Sequence, residues 1–122
     1  MKLYRPVGIR ELELIKQSGM TEFPPRFPEQ PIFYPVLNKE YARQIAKEWN
    51  AKNPPDYAGF VTEFEIDDQY GAKFEIKTVG GSIHQELWVP AEELAEFNKH
   101  IIGKIKVIES HYGENYQGSK TI

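Results

Sequence analysis

The sequence predicts an α+β fold with a mixed or antiparallel β core and two or three flanking helices. In the first half of the chain, apolar residues recur at the spacing of one helix face, and in the second half apolar and polar residues alternate as along a strand. A length of 122 residues and a hydrophobic content of 40% suit one globular domain. We therefore expect a single domain over residues 1–113 and a flexible, polar C-terminal tail over residues 114–122.

The chain begins with a predicted strand and a predicted helix. Residues 3–7 form a short strand that ends at Pro6 and Gly8. The helix that follows ends at Gly19, because glycine readily adopts the left-handed conformation of a helix cap. The apolar face of this helix consists of Ile9, Leu12 and Ile15.

Residues 21–31 predict an ordered, extended loop. Its four prolines lack the N–H group that a sheet interior requires, and Phe23 and Phe27 supply rings that would pack the loop onto the domain. The alternative is a proline-rich ligand for a recognition domain, which would require these rings to be exposed.

A second strand over residues 32–34 precedes the clearest amphipathic helix. Asn38 is suited to cap this helix, which we expect to run to Asn50. The apolar residues at the spacing of one buried stripe are Tyr41, Ala42, Ile45, Ala46 and Trp49. The prediction is that Ile45 and Trp49 pack this helix against the β core.

The second half is predicted to consist mainly of strands. Alternating segments cover residues 59–66, 73–79, 83–89 and 104–109. Between the last two, Pro90 begins a short helix at its favoured first-turn position, and Gly103 ends it. The inner face of this helix consists of Leu94, Phe97 and Ile101. Helices in the first half and a sheet in the second define the α+β class.

Composition excludes several classes of function. With 15 basic residues, 18 acidic residues and no basic block, the chain is not expected to bind nucleic acid as its main partner. The absence of cysteine excludes disulfides and thiolate catalysis, and no apolar signal core or membrane-length apolar run occurs. We therefore expect a soluble, cytoplasmic protein. The histidines lie on different predicted elements, so no metal site is expected: His84, His100 and His111.

The most informative segment covers residues 80–90, where a glycine turn leads into a short apolar strand. Strand side chains alternate, so His84, Glu86 and Trp88 point to one face. Burying a carboxylate among apolar residues costs free energy unless it has a partner, which makes Glu86 the best functional candidate. We expect Trp88 to be buried beneath it. The alternative is an edge-strand glutamate that faces water.

Three short blocks, taken in chain order, carry a family resemblance. They are Tyr4-Arg5 on the first strand, Ile32-Phe33-Tyr34 leading into Glu40-Tyr41-Ala42, and Glu86-Leu87-Trp88-Val89-Pro90 after the glycine turn. The blocks resemble the three motif blocks of the ADP-ribosyltransferase fold. Residues 3–113 also resemble short bacterial proteins labelled "ADP-ribosylation/crystallin J1". Only the transferase half of that label suits this chain, because the crystallin J1 fold is a much larger, magnesium-dependent helical protein.

The resemblance implies NAD as substrate and no metal. Arg5 would hold a diphosphate or a ribose hydroxyl, and Phe33 or Tyr34 would stack on the nicotinamide ring. Glu86 and His84 would be the catalytic residues, and Glu86 would stabilise the oxocarbenium-like cation formed as nicotinamide leaves. His84 lies two residues before Glu86, where many arginine-modifying members have Glu or Gln. This departure argues against arginine as the acceptor and leaves the acceptor open.

Two other functions remain open. One is a non-catalytic ligand-binding module of the same fold, since the short chain lacks most of the insertions that enclose NAD. The other is a protein-interaction protein of the immunity type, whose contact face would be the acidic run Asp56, Glu63, Glu65, Asp67 and Asp68. Catalysis requires that Arg5, Tyr34 and Glu86 line one concave pocket, whereas scattered side chains favour the other two functions.

Overall fold

The computed structural model describes residues 1–118 and confirms the α+β class. Its strands are β1 (Lys2–Val7), β2 (Ile32–Phe33), β3 (Ala58–Ile66), β4 (Glu75–Thr78), β5 (Gln85–Pro90) and β6 (Ile101–Tyr112). Its α-helices are α1 (Ile9–Gln17), α2 (Lys39–Glu48), α3 (Asp68–Gly71) and α4 (Leu94–Lys99). Short 3₁₀ turns follow α2 and precede α4, over Asn50–Lys52 and Ala91–Glu93. No helix in this part of the chain is long and apolar enough to cross a bilayer.

The strands form two antiparallel, three-stranded sheets in the orders β1-β3-β6 and β2-β5-β4. The segment after β2 joins them, because Val36 pairs with Tyr4 of β1 on one side and with Glu86 of β5 on the other. The backbone hydrogen bonds between Val36 and Tyr4 measure 2.7 and 2.9 Å. The β core that the sequence predicts is therefore divided into two sheets that meet at Val36.

The main core contains a cluster of aromatic rings from the proline-rich loop, both sheets and α4. The ring of Phe23 lies 4.9 Å from that of Phe64 and 5.2 Å from that of Phe33. Phe33 extends the cluster to Phe97, at 5.5 Å. Tilted and edge-on rings at these distances stabilise a core beyond the area that they bury. The predicted packing of the loop is confirmed for Phe23, whereas Phe27 is 59% exposed.

The helix α2 begins as predicted but packs through other residues. The Asn38 side chain caps it by accepting a hydrogen bond from the backbone N–H of Glu40 at 2.8 Å. Ala42 and Ala46 are fully buried in a small second core, whereas Trp49 is 64% exposed. The prediction that Trp49 packs the helix against the β core is therefore wrong.

The close approach of α2 to β3 explains why the small residues are buried. A Cβ atom added at Gly59 of β3 would lie 2.4 Å from the backbone carbonyl oxygen of Ala46. A contact this close leaves room only for small side chains between the helix and the strand. Because α2 ends at Glu48, Trp49 lies beyond this contact and remains at the surface, while Ile45 is half-buried.

Gly19 and Gly103, the two predicted helix ends, both have the positive φ that favours glycine, but only Gly19 follows a helix as predicted. Gly19 follows α1 with φ of +81°. Gly103, with φ of +73°, lies inside β6, because α4 already ends at Lys99 and the strand begins at Ile101. The register between β3 and β6 shifts at this point. Gly103 therefore occupies a β-bulge, a position that glycine also favours.

The end of the described chain is partly packed. The ring of Tyr116 lies 4.6 Å from that of Tyr112, the last residue of β6, and contacts the main core. Residues 119–122 of the predicted tail lie outside the described residues.

Candidate functional site

Arg5 is buried on the side of β1 that faces the main core. Its neighbours at alternate positions, Leu3 and Val7, are fully buried on the same side. The guanidinium makes a bidentate pair with Glu11 of α1, with Nε–Oε2 and Nη2–Oε1 distances of 2.7 and 3.0 Å. Its central carbon lies 4.8 Å above the ring of Phe33. Two nitrogens and one face of the Arg5 guanidinium therefore contact protein groups, and the residue is 7% exposed.

Glu86 is buried as well, and both carboxylate oxygens have donors. The hydroxyl of Tyr41 donates to Oε2 at 2.6 Å, and the indole N–H of Trp88 donates to Oε1 at 3.0 Å. Burial, and then the hydrogen bond to Glu86, raise the pKa of the Tyr41 hydroxyl well above its usual value. At 7% exposure, Glu86 is not the water-facing edge glutamate that was the alternative.

His84 lies beside the Glu86 cluster without touching the carboxylate. Its ring is 4.6 Å from that of Tyr41, so the expected common face of His84, Glu86 and Trp88 is confirmed. The backbone N–H of Gly81 donates to Nδ1 at 3.1 Å. This hydrogen bond assigns the proton to Nε2, which donates to Oε1 of Gln44 at 2.9 Å.

Trp88 is only partly buried, so the expectation that it forms a buried floor under Glu86 is wrong in degree. Its indole carries the ammonium of Lys77 on one face, at 4.2 Å from the ring. The cause is the position of β4, which is an outer strand of its sheet and covers Trp88 with a long charged side chain and not with a core residue.

Arg5 and Glu86 point to opposite faces of the β structure. Directly paired residues on neighbouring antiparallel strands share a face, so Tyr4, Val36 and Glu86 lie on one side. Arg5 follows Tyr4 and therefore points to the other side. The packing agrees, because Arg5 contacts Phe33 of the main core whereas Tyr41, the partner of Glu86, packs against the second core.

An open cavity of about 240 Å³ lies where β1 and the segment after β2 diverge, and we call it the interstrand cavity. The lining residues that bear on its chemistry are Arg5, Glu11, Arg26, Tyr34, Trp49 and Asn50. The lining does not include Glu86 or His84. Phe33 is 1% exposed beneath Arg5, which leaves Tyr34, 40% exposed, as the predicted ring that a ligand could stack on.

The sequence patterns did not single out Arg26 or Asn50. Arg26 lies in the proline-rich loop, where no periodicity indicates which way a side chain points, and Asn50 lies in the turn after α2. Among the described residues, Nε of Arg26 and Oδ1 of Asn50 are buried without a hydrogen-bond partner. Only the folded chain places these two residues around one cavity.

A larger open cavity, of about 490 Å³, lies between the end of α2 and the end of β6. Two of its charged or titratable lining residues have partners, since Lys52 pairs with Glu48 at 2.8 Å and His111 with Glu109 at 2.9 Å. Volume alone would favour this cavity. The smaller interstrand cavity is the better candidate, because polar atoms without partners and exposed aromatic rings converge there.

Comparison with known proteins finds no relative of the chain: no protein-family model, no curated protein and no solved structure matches it. Within residues 1–118, no group of three or more His, Cys, Asp or Glu side chains is placed to hold a metal ion.

Proposed function

We propose that the protein is a small ADP-ribosyltransferase-like protein that binds NAD or another ADP-ribose-type ligand in the interstrand cavity. The observation that carries the proposal is that Arg26 and Tyr34, whose ring is exposed, line the same cavity together with Arg5. Guanidinium groups favour phosphate oxygens, and an exposed aromatic ring offers a surface on which a base or nicotinamide can stack.

The placement of the three motif blocks supports the proposed fold. The blocks lie on β1, on β2 and the start of α2, and on β5, and Val36, between β2 and α2, pairs with residues of both β1 and β5. Segments that are far apart in the chain are therefore neighbours in space. A shared ligand site requires such proximity.

The geometry favours binding over transfer of ADP-ribose. Glu86 lies on the face opposite to Arg5 and outside the lining of the interstrand cavity. A catalytic carboxylate must lie close to the developing cation, and this position does not provide that proximity. A non-catalytic ligand-binding module is therefore the main proposal.

Cleavage of the nicotinamide bond is a second candidate, and one observation favours it. Glu86 is a buried carboxylate whose two oxygens are held by Tyr41 and Trp88. Such a preorganised negative charge can stabilise a positively charged transition state. A cytoplasmic location, which suits a chain without cysteine, is part of the same proposal. The proposal names no acceptor for a transfer of ADP-ribose.

The protein-interaction alternative has less support, because several carboxylates of the acidic run have roles inside the fold. Asp56 accepts a hydrogen bond from the backbone N–H of Ile9 at 3.1 Å, and Asp67 caps α3. Asp68 pairs with the N-terminal ammonium. A carboxylate that caps a helix, accepts a backbone hydrogen bond or pairs with an ammonium group is less available to a partner protein.

Calorimetric titration with ADP-ribose and NAD tests the binding proposal. Wild type should bind at least one of them, and Tyr34→Ala should weaken binding about tenfold by removing a stacking surface. The matched control is Ile76→Ala, an apolar truncation of similar exposure on β4, outside the cavity; it should leave binding unchanged. Absence of binding at millimolar ligand, or equal binding by Tyr34→Ala, would overturn the proposal.

Nicotinamide release from NAD separates the two candidate functions. Release by wild type that is lost in Glu86→Gln, at equal folded concentration, would establish a catalytic role for the carboxylate. Binding of ADP-ribose without any release would instead establish the binding module.

A further inference from the structure

Arg26 and Asn50 both line the interstrand cavity, and each has one buried side-chain atom without a hydrogen-bond partner among residues 1–118, so that a small side-chain rotation would turn a donor and an acceptor towards a ligand. These atoms are Nε of Arg26 and Oδ1 of Asn50. Such atoms are rare in folded proteins, because removing a polar group from water without a hydrogen bond costs free energy. A ligand that offered an acceptor to Arg26 and a donor to Asn50 would remove both costs.

Arg5 has a carboxylate partner within the fold, whereas Arg26 makes no ion pair among residues 1–118. Both Nε and Nη2 of Arg5 are bound by Glu11, the carboxylate that the two arginines share as a neighbour. Burial first, and then the positive charge of Arg5, lower the pKa of Arg26. An anion beside Arg26 would relieve that repulsion and complete its hydrogen bonding.

The same cavity has aromatic rings that water can reach. Tyr34 is 40% exposed and Trp49 is 64% exposed, and both contribute to the lining. An exposed indole ring is a large apolar surface, and covering it with another flat ring is favourable because both rings leave water. The exposure of Trp49 is therefore consistent with contact to an aromatic base.

We infer that Arg26 and Asn50 are the main polar ligand contacts of the interstrand cavity. Arg26 donates to a phosphate oxygen, Asn50 accepts from a hydroxyl group, and Trp49 covers the base of the same ligand. The ligand class is thus a phosphate ester of a sugar that carries an aromatic base. This inference rests on the proposed function, since it assigns residues to the same site.

Two probes separate the roles of Arg26 and Asn50. ADP-ribose carries phosphates and hydroxyl groups, whereas inorganic pyrophosphate carries phosphates alone, and both are titrated calorimetrically at one ionic strength. Arg26→Gln should weaken binding of both probes roughly tenfold to a hundredfold, because a charge-assisted hydrogen bond is lost. Asn50→Ala should weaken binding of ADP-ribose alone.

The control is Lys16→Gln, which also removes one positive charge, from an exposed residue of α1 outside the interstrand cavity. It should change either Kd less than about twofold, because exposed charges are screened. Arg26→Lys is a second variant; it should recover part of the affinity, since lysine keeps the charge but not the fork. Thermal unfolding of every variant confirms that each is folded.

The possible failures are distinguishable. Equal binding of ADP-ribose by wild type and Arg26→Gln overturns the inference, whereas the proposed function stands as long as wild type binds and Tyr34→Ala weakens that binding. A loss in Lys16→Gln as large as that in Arg26→Gln overturns it too, because net charge would then explain both. If wild type binds neither ADP-ribose nor NAD, the proposed function fails and this inference fails with it.

Discussion

Arg5 and Glu86 are equally buried, at 7% exposure, but the fold stabilises their charges differently. Arg5 meets the opposite charge of Glu11 in a bidentate pair, whereas Glu86 accepts hydrogen bonds from the neutral groups of Tyr41 and Trp88. An ion pair cancels charge, and neutral donors stabilise a charge without cancelling it. The Arg5 pair therefore suits a structural role, whereas the charge of Glu86 is stabilised by two hydrogen bonds and by no ion pair among the described residues.

The comparison also changes which arginine is expected to meet a ligand. The family resemblance implies this role for Arg5, but Glu11 occupies its fork. Arg26 is the cation of the cavity whose Nε has no partner among the described residues. Arg5 supports the cavity wall by joining β1 to α1, so its substitution would act on the site through the fold.

Loss of the Arg5 partner should have the largest effect on stability. Glu11→Ala leaves a buried guanidinium without its counter-charge, which should lower the free energy of unfolding by about 3–5 kcal/mol. Urea unfolding measures the loss. The control is Glu13→Ala, an exposed residue on the same helix that should cost less than about 0.5 kcal/mol. Equal losses in the two variants would contradict the buried pair.

Glu86→Gln should cost less, because no charge is left unpaired. The amide of glutamine has one acceptor oxygen, so either Tyr41 or Trp88 loses its acceptor, at a cost of about 1–3 kcal/mol. Chemical unfolding of the variant, of Tyr41→Phe and of the double variant measures the coupling. The double variant should lose less than the sum of the single losses. Strict additivity would show that the Tyr41 hydroxyl does not interact with Glu86.

The pair between Arg43 and Glu109 offers a more exposed counterpart to the Arg5 pair. Hydrogen bonds from Arg43, with a smaller contribution from His111, hold the pKa of Glu109 at about 2, below its ordinary value of 4.5. A lowered pKa stabilises the fold above pH 4.5, and this contribution, on the order of 1–2 kcal/mol after solvent screening, is lost as pH falls towards 2. The stability difference between wild type and Glu109→Gln should therefore shrink over this range. Parallel stability curves would contradict the pair.

The two tryptophans should give the smallest effects and should differ from each other. Trp88→Ala removes a half-buried indole and should cost about 1–2 kcal/mol, less than a fully buried ring. Trp49→Ala removes an exposed indole and should cost less than about 0.5 kcal/mol. Thermal unfolding of both variants tests this order. A larger loss for Trp49→Ala would mean that this side chain packs within the fold.

Local patterns in the sequence predicted most of the elements. Asn38 caps α2 and Gly19 follows α1 as expected, since capping depends on residues only a few positions apart. The period of two also placed His84, Glu86 and Trp88 on one side, because alternation is a property of a single strand. The predicted start of β6 at residue 104 was wrong, because a glycine such as Gly103 suits a helix end and a β-bulge equally well.

The tertiary structure alone decided how these elements share a site. Alternation shows that neighbours such as Tyr4 and Arg5 point apart, but only strand pairing through Val36 shows that Glu86 shares the side of Tyr4. The direction of Arg26 depends on how an aperiodic loop packs. The exposure of Trp49 depends on how closely α2 approaches β3. Each of these features arises from contacts between distant segments, which no local pattern in the sequence records.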